Sequence, residues 1–335
     1  MRISKLIPFV ALPLALGLGI VGQAQANVYA ESGINIGSLT IDISPFAGAI
    51  ITNFGFTATN TATLNGASTI QSANCGGTPG LPSSGANDCN ATPPRLDPAP
   101  ANAPGSFPLR SNNDFSFFGP GLNQYSNSDS VIRTAQLTGD GTTSLEQIAE
   151  AELQSGLSAS ANAEIQSTTG FIFNFSTTNT GSLALRFTAD PSQMVLINEV
   201  LFGSFAQSNM RTTFTLTNND TGGFVTWSPR GSAADDCFEI GISANCVETS
   251  DTQNLNRVMT LTTNGSIAES RTGWDTTFTT FGIDITGLTA GNYSLGLDTL
   301  TSVQLRRAVP EPGTLLLLGV GLAALAAGAR KKFSA

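Results

Sequence analysis

The chain offers chemistry 24 Asp and Glu, four Cys and no His. Without imidazole it lacks the commonest general base and the commonest metal ligand. A Ser-His-Asp triad, a Cys-His pair and a His-based zinc site are excluded. The acids gather at Asp140 in "TGDG", at Asp220 in "NNDTGG", and at Asp235, Asp236 and Glu239 around Cys237. Calcium takes several carboxylate and carbonyl oxygens, but none of these stretches has calcium-loop spacing. Asp and Asn that shape turns account for them better. Two carboxylates could hydrolyse a glycoside, provided the fold sets their separation. Trp227 and Trp274, with Tyr125 and Tyr293, could form a sugar-stacking platform; aromatics in strands more often fill a core. We therefore assign no catalytic residue, no metal ligand and no cofactor, and expect no enzymatic activity.

The cysteines depend on where the chain goes. Residues 1–26 combine a basic start (Arg2, Lys5), an apolar stretch and the small-residue pattern Ala24-Gln25-Ala26. That is the form of a secretory signal peptide, with cleavage after Ala26. Export makes disulfides the default for Cys75, Cys89, Cys237 and Cys246. The local pairing, Cys75 with Cys89 and Cys237 with Cys246, closes two short turn-rich loops. The first would add about 3 kcal/mol on the chain-entropy model.

Charge narrows the partners. All three lysines lie in the terminal segments, and residues 27–312 set ten Arg against 24 acids, a formal charge of −14. Such a surface repels phosphate backbones, which argues against nucleic acid. Thr, Ser, Asn and Gly supply the polarity instead.

The elements that must position these residues read as strands. "SLTIDI" (38–43), "SASANAEIQS" (158–167), "FIFNF" (171–175) and "SLALRF" (182–187) alternate apolar and polar residues, the period of a half-buried strand. "TTFTLTN" (212–218), "VMTLTT" (258–263) and "TTFTTFGIDIT" (276–286) continue the pattern with β-branched residues. Gly, Asn and Asp punctuate the runs where a positive φ is needed. "TSLEQIAEAELQSG" (143–156) fits a capped helix as well as a strand; the alternation of Ala149, Ala151 and Leu153 tips it to strand, with Gln147, Glu150 and Glu152 mostly on the other face. Many short strands with turn signals predict an all-β fold, an antiparallel β-sandwich of jelly-roll-like type. Eight of the sixteen prolines fall in residues 76–108, which reads as a long irregular excursion from one domain over 27–308. A linker between two domains is the alternative.

The C-terminus is built differently. Residues 313–329 carry no charge and would span about 25 Å as a helix, near the lower limit for a bilayer. Arg330, Lys331 and Lys332 follow, a basic cluster that holds the C-terminus on the cytoplasmic side. Pro310-Glu311-Pro312 precedes the apolar run and keeps the chain extended there. In order, "VPEPGTLLLLGVGLAALAAGARKK" closely resembles the PEP-CTERM sorting signal of Gram-negative bacteria. The resemblance covers about 309–332, together with the signal peptide, and is silent on the fold of 27–308.

The resemblance implies a route. Such chains pass the Sec translocon, are held for a time in the inner membrane by the tail, and are cut near the triplet by an exosortase. They reach the cell surface or the extracellular matrix, where an exopolysaccharide is the partner and biofilm or floc cohesion the role. The expected function is thus structural or adhesive. A carbohydrate-binding module is the alternative, and a carboxylate-dependent hydrolase is the third.

Overall fold

The computed structural model describes residues 27–43, 48–77, 89–91, 95–96, 110–121, 124–134, 143–154, 161–198, 203–232, 236–262, 266–271, 277–307 and 321. The named elements are all strands, and every pairing is antiparallel. One sheet, A, contains β1 (Asn27–Asp42), β4 (Cys89–Ala91), β5 (Arg95–Leu96), β6 (Tyr125–Thr134), β7 (Thr143–Gln154), β9 (Gly181–Asn198), β13 (Asn245–Ser250), β15 (Ser266–Arg271) and β16 (Thr279–Leu288). The other, B, contains β2 (Ile50–Leu64), β3 (Ala67–Gly77), β8 (Ala161–Thr177), β10 (Phe205–Asn218), β11 (Phe224–Trp227), β12 (Cys237–Ile240), β14 (Arg257–Leu261) and β17 (Gly291–Arg307). Sheet A runs β13-β16-β9-β1-β7-β6-β4 and sheet B runs β12-β11-β10-β17-β8-β2-β3. The first and last strands, β1 and β17, are therefore interior to their sheets.

The expected strands are present but longer than the sequence suggested. "SASANAEIQS" and "FIFNF" belong to one strand, β8, of 17 residues, and "SLALRF" opens β9, of 18. The 143–156 segment is strand over Thr143–Gln154. Gln147 departs from the expectation: it shares the inward face of β7 with Leu145 and Ala149, while Ile148, Glu150 and Glu152 point outward and are nevertheless buried. Pro191 sits within β9 where one neighbour replaces another, since β16 pairs up to Ala189 and β15 begins at Ser192. A missing amide costs little at such a break.

The inner faces form two apolar clusters with a polar belt between them. At one end Phe171, Phe173, Phe175, Phe187, Phe214 and Trp227 pack with Ile34 and Leu185. At the other, Val28, Ala149, Ala151, Val195, Val303 and Leu305 pack together. Between them lie Ser32, Asn60, Ser130, Gln147, Ser167, Thr169, Gln193, Ser208 and Thr299, all buried. These side chains bridge the sheets. Ser208 donates to the Glu31 carbonyl at 2.7 Å, Ser32 to the Asn209 carbonyl at 2.9 Å, Thr169 to Gln147 Oε1 at 2.7 Å and Ser130 to Asn60 Oδ1 at 2.9 Å. Pairing inside the core offsets the cost of burying the hydroxyls and amides.

Cys237 and Cys246 are disulfide-bonded, with Cα atoms 6.0 Å apart, and tie the β12 edge of sheet B to the β13 edge of sheet A. Cys75 is also disulfide-bonded. The side chain of Cys89, its expected partner, lies outside the described residues, as do most of the Pro-rich segment, Ala26 and the tail beyond Arg307 apart from Gly321. Among the described residues no helix is long and apolar enough to cross a membrane; residues 313–329 fall outside that statement.

Candidate functional site

The outward face of sheet A carries a buried acidic nest. Residues 110–121 lie across β1, β6 and β7 and cover Glu31, Glu150, Glu152 and Asp129, all fully buried. Glu150 accepts five hydrogen bonds: from Arg110 Nη2 at 2.7 Å, from the Tyr29 and Tyr125 hydroxyls at 2.7 and 2.9 Å, and from the Phe118 and Gly119 amides at 3.1 and 2.8 Å. Tyr29 also contacts Glu31, its neighbour on β1. Glu152 accepts from the Gly121 amide at 2.7 Å and from Asn27 Nδ2 at 3.0 Å. Burial, reinforced by the Glu150 carboxylate, raises both phenols well above their usual range. Burial pushes Asp129 up to about 7, although backbone amides of Ser130, Asn113 and Asp114 favour its charged form. Arg110 further packs its guanidinium over the Phe118 ring, 4.3 Å from the centroid. The acids here hold chain to chain and have no open face for a substrate.

A second acidic group forms where the ends of β12 and β13 meet the loop after β11. Asp236, Glu248 and Asp251 bring one carboxylate oxygen each within 4.8 Å of one another, at intermediate burial. Asp251 Oδ2 accepts from the Arg230 and Gly231 amides at 2.8 and 2.7 Å, and Glu248 Oε2 from Trp227 Nε1 at 3.0 Å. Gly231 has φ +69, and a Cβ there would lie 2.7 Å from the Gln253 backbone carbon, so only glycine fits the loop. Burial, with the neighbouring like charges adding, raises the carboxyls of Glu248 and Asp251. Three carboxylates suit a hard cation in type, but calcium takes about 6–8 oxygens.

Of the acids singled out in the sequence, Asp236 alone enters this group. Glu239 accepts from the Cys246 amide at 2.7 Å and links β12 to β13. Asp220 accepts from the Asn292 amide and side chain at 2.8 Å each and ties one turn to another. Asp140 and Asp235 lie outside the described residues. Glu248 and Asp251 carried no local signal, because the chain brings them to Asp236 only by crossing from sheet B to sheet A between β12 and β13. The aromatic platform does not form: Trp227, Tyr125 and Tyr293 are interior. Trp274 lies outside the described residues.

The outward face of sheet B is wet. Gly55, Gly170 and Gly296 on β2, β8 and β17 leave a trough of about 660 Å³, edged by Thr57, Thr215 and the exposed Ile172. Its rim holds Asp298, paired with Arg211 at 2.9 Å.

The remaining feature is the C-terminal junction. β17 runs between β10 and β8 to Arg307, whose side chain is buried and donates to the Gln154 carbonyl at 3.5 Å. Pro310 follows three residues later. Fold and junction together describe an antiparallel two-sheet β protein whose last core strand leads straight into its tail. That tail, residues 308–332, matches the PEP-CTERM protein-sorting motif, which marks the chain as an exosortase-sorted, exported protein. No curated protein and no solved structure matches the chain.

Proposed function

We propose that the chain is a non-enzymatic cell-surface or extracellular matrix protein that contributes to exopolysaccharide, biofilm or floc cohesion. The single observation that carries the reading is the sorting motif at 308–332. Two others support it. The Cys237–Cys246 disulfide suits an oxidising compartment. The best-formed acidic groups are structural or half-buried in a loop. On this route the Sec translocon exports the chain. The apolar run 313–329 then holds it in the inner membrane against Arg330, Lys331 and Lys332, each costing about 2.5–3.5 kcal/mol at a helix centre. An exosortase cuts near Pro310-Glu311-Pro312. Replacing the triplet with three alanines should leave the protein in the membrane fraction at full tail length. Release and shortening as in wild type would overturn the reading.

A second reading rests on the trough of sheet B. Its hydroxyl rim and exposed Ile172 suit a neutral saccharide. The test is retention on an array of bacterial polysaccharides, with loss of the signal in Ile172→Glu. Failure to retain any polysaccharide removes this reading and leaves the first untouched.

A further inference from the structure

β3 (Ala67–Gly77) ends sheet B beyond β2, and among the described residues no strand lies outside it. An edge strand presents amides and carbonyls with no ladder partner. Proteins blunt such rows with shortness, lysine, proline or bulges. The other described edges here are short: β12 has four residues and β14 five, β13 and β15 have six each, and β4 and β5 have three and two. β3 has 11, and "ASTIQSANCGG" contains neither charge nor proline. Its register with β2 runs from Leu64↔Ala67 to Phe54↔Gly77 with no shift, so no bulge turns the edge aside.

The hairpin decides which groups face outward. Asn65 and Gly66 have φ of 52° and 84°, as a two-residue type I′ turn requires. Leu64 and Ala67 then close the turn as a hydrogen-bonded pair, and alternate pairs along the ladder bond likewise. Thr69, Gln71 and Ala73 spend their amides on β2. Those of Ser68, Ile70, Ser72 and Asn74 point away from the sheet. Side chains agree: the hydroxyls of Thr63 and Ser68 meet at 3.1 Å and those of Thr59 and Ser72 at 3.0 Å, the close approach of non-hydrogen-bonded pairs. All four outward residues are exposed, Ile70 by 66%.

Charge singles out the occupant. The chain is acidic, with a net charge of −9, so two copies repel across most faces. β2 and β3 contain no charged residue at all, and two β3 edges meet without like charges opposed. We propose that β3 is a self-association edge, pairing antiparallel with β3 of a second copy about a two-fold axis normal to the sheet. Such a contact is isologous and closes as a dimer. It continues sheet B across two molecules, with Ile70 of each copy on the same face. The inference is independent of how the tail is sorted, because it resides in the domain.

Ser72→Pro removes one outward amide and spares the β2 ladder, and Ile70→Lys adds an edge charge. Thr213→Lys, on β10 away from the edge, serves as control. The full chain in detergent micelles is followed by sedimentation velocity over a concentration series, with circular dichroism on each variant. The wild type and Thr213→Lys should dimerise, and the two edge variants should weaken association by about tenfold or more. In the wild type, exchange of the Ser68, Ile70, Ser72 and Asn74 amides should slow as concentration rises; this readout decides if both edge variants fail to fold. A wild-type monomer throughout, a dimer that both edge variants leave intact, or slow exchange independent of concentration would each overturn the proposal.

Discussion

Glu150 with its neighbours, and Asp236 with Glu248 and Asp251, are both knots of acids, yet one is sealed and the other half-wet. Glu150 has a guanidinium at 2.7 Å, two phenols and two amides aimed at it before any water is needed. The loop group receives amides and one indole N–H, and it keeps partial exposure. The difference teaches that donor supply sets how deep a carboxylate can go. Three elements converge on Glu150 because residues 110–121 fold back over the sheet. One loop alone serves the second group.

The sharpest way to erase that contrast is Arg110→Ala. It leaves Glu150 enclosed without its cation, which costs about 3–5 kcal/mol for a buried pair. Urea unfolding should show a loss of that size, and a loss below about 1 kcal/mol would mean the nest is open to water. Next in size is the staple beside the loop group. Replacing Cys237 and Cys246 together by Ala should cost about 2–3 kcal/mol on the chain-entropy model. An unchanged melting temperature would show that the sheet edges hold without it.

Asp129 sharpens the contrast through pH. Its carboxyl is raised by burial to about 7, from 3.8. Between these values the folded chain keeps a proton that the unfolded chain releases. The stabilisation is complete below about pH 4 and is lost as pH rises through about 7. Asp129→Asn should therefore melt higher than wild type at pH 8, by about 1–2 kcal/mol, with the gain fading towards pH 4. A gain independent of pH would show that Asp129 does not titrate in this range. The smallest effect is expected at the loop group. With three carboxylates, millimolar Ca²⁺ should raise the melting temperature by about 1 °C or less, and Asp251→Asn should abolish the shift. A rise of about 5 °C would show that the loop completes a true coordination shell.

Apart from Asp236, neither acidic group was legible in the sequence, and for one reason. Arg110 meets Glu150 across 40 positions, Tyr29 meets it across 121, and Asp236 reaches Glu248 and Asp251 only where β12 and β13, in different sheets, come together. Such contacts follow from strand pairing, and composition near any one residue does not encode them. Asp220 stood out because turns favour aspartate, and a turn is where it acts; Glu239 lies within β12 and accepts from the Cys246 amide on β13.

What the sequence by itself determined was local. Alternation marked strands and assigned Phe171, Phe173, Phe175, Leu183 and Leu185 to one face each, because a strand's period of two is a property of consecutive residues. The tail was legible for the same reason: triplet, apolar run and basic cluster follow one another along the chain. Only the tertiary structure decided that "SASANAEIQS" and "FIFNF" are one strand, that Gln147 faces inward, and that Trp227, Tyr125 and Tyr293 are interior. Polar positions such as Ser32, Gln147 and Thr169 read as surface until a second sheet supplies their partners. Which polar groups can be buried depends on donors and acceptors contributed from the opposite sheet, and that register is set when the two sheets pack.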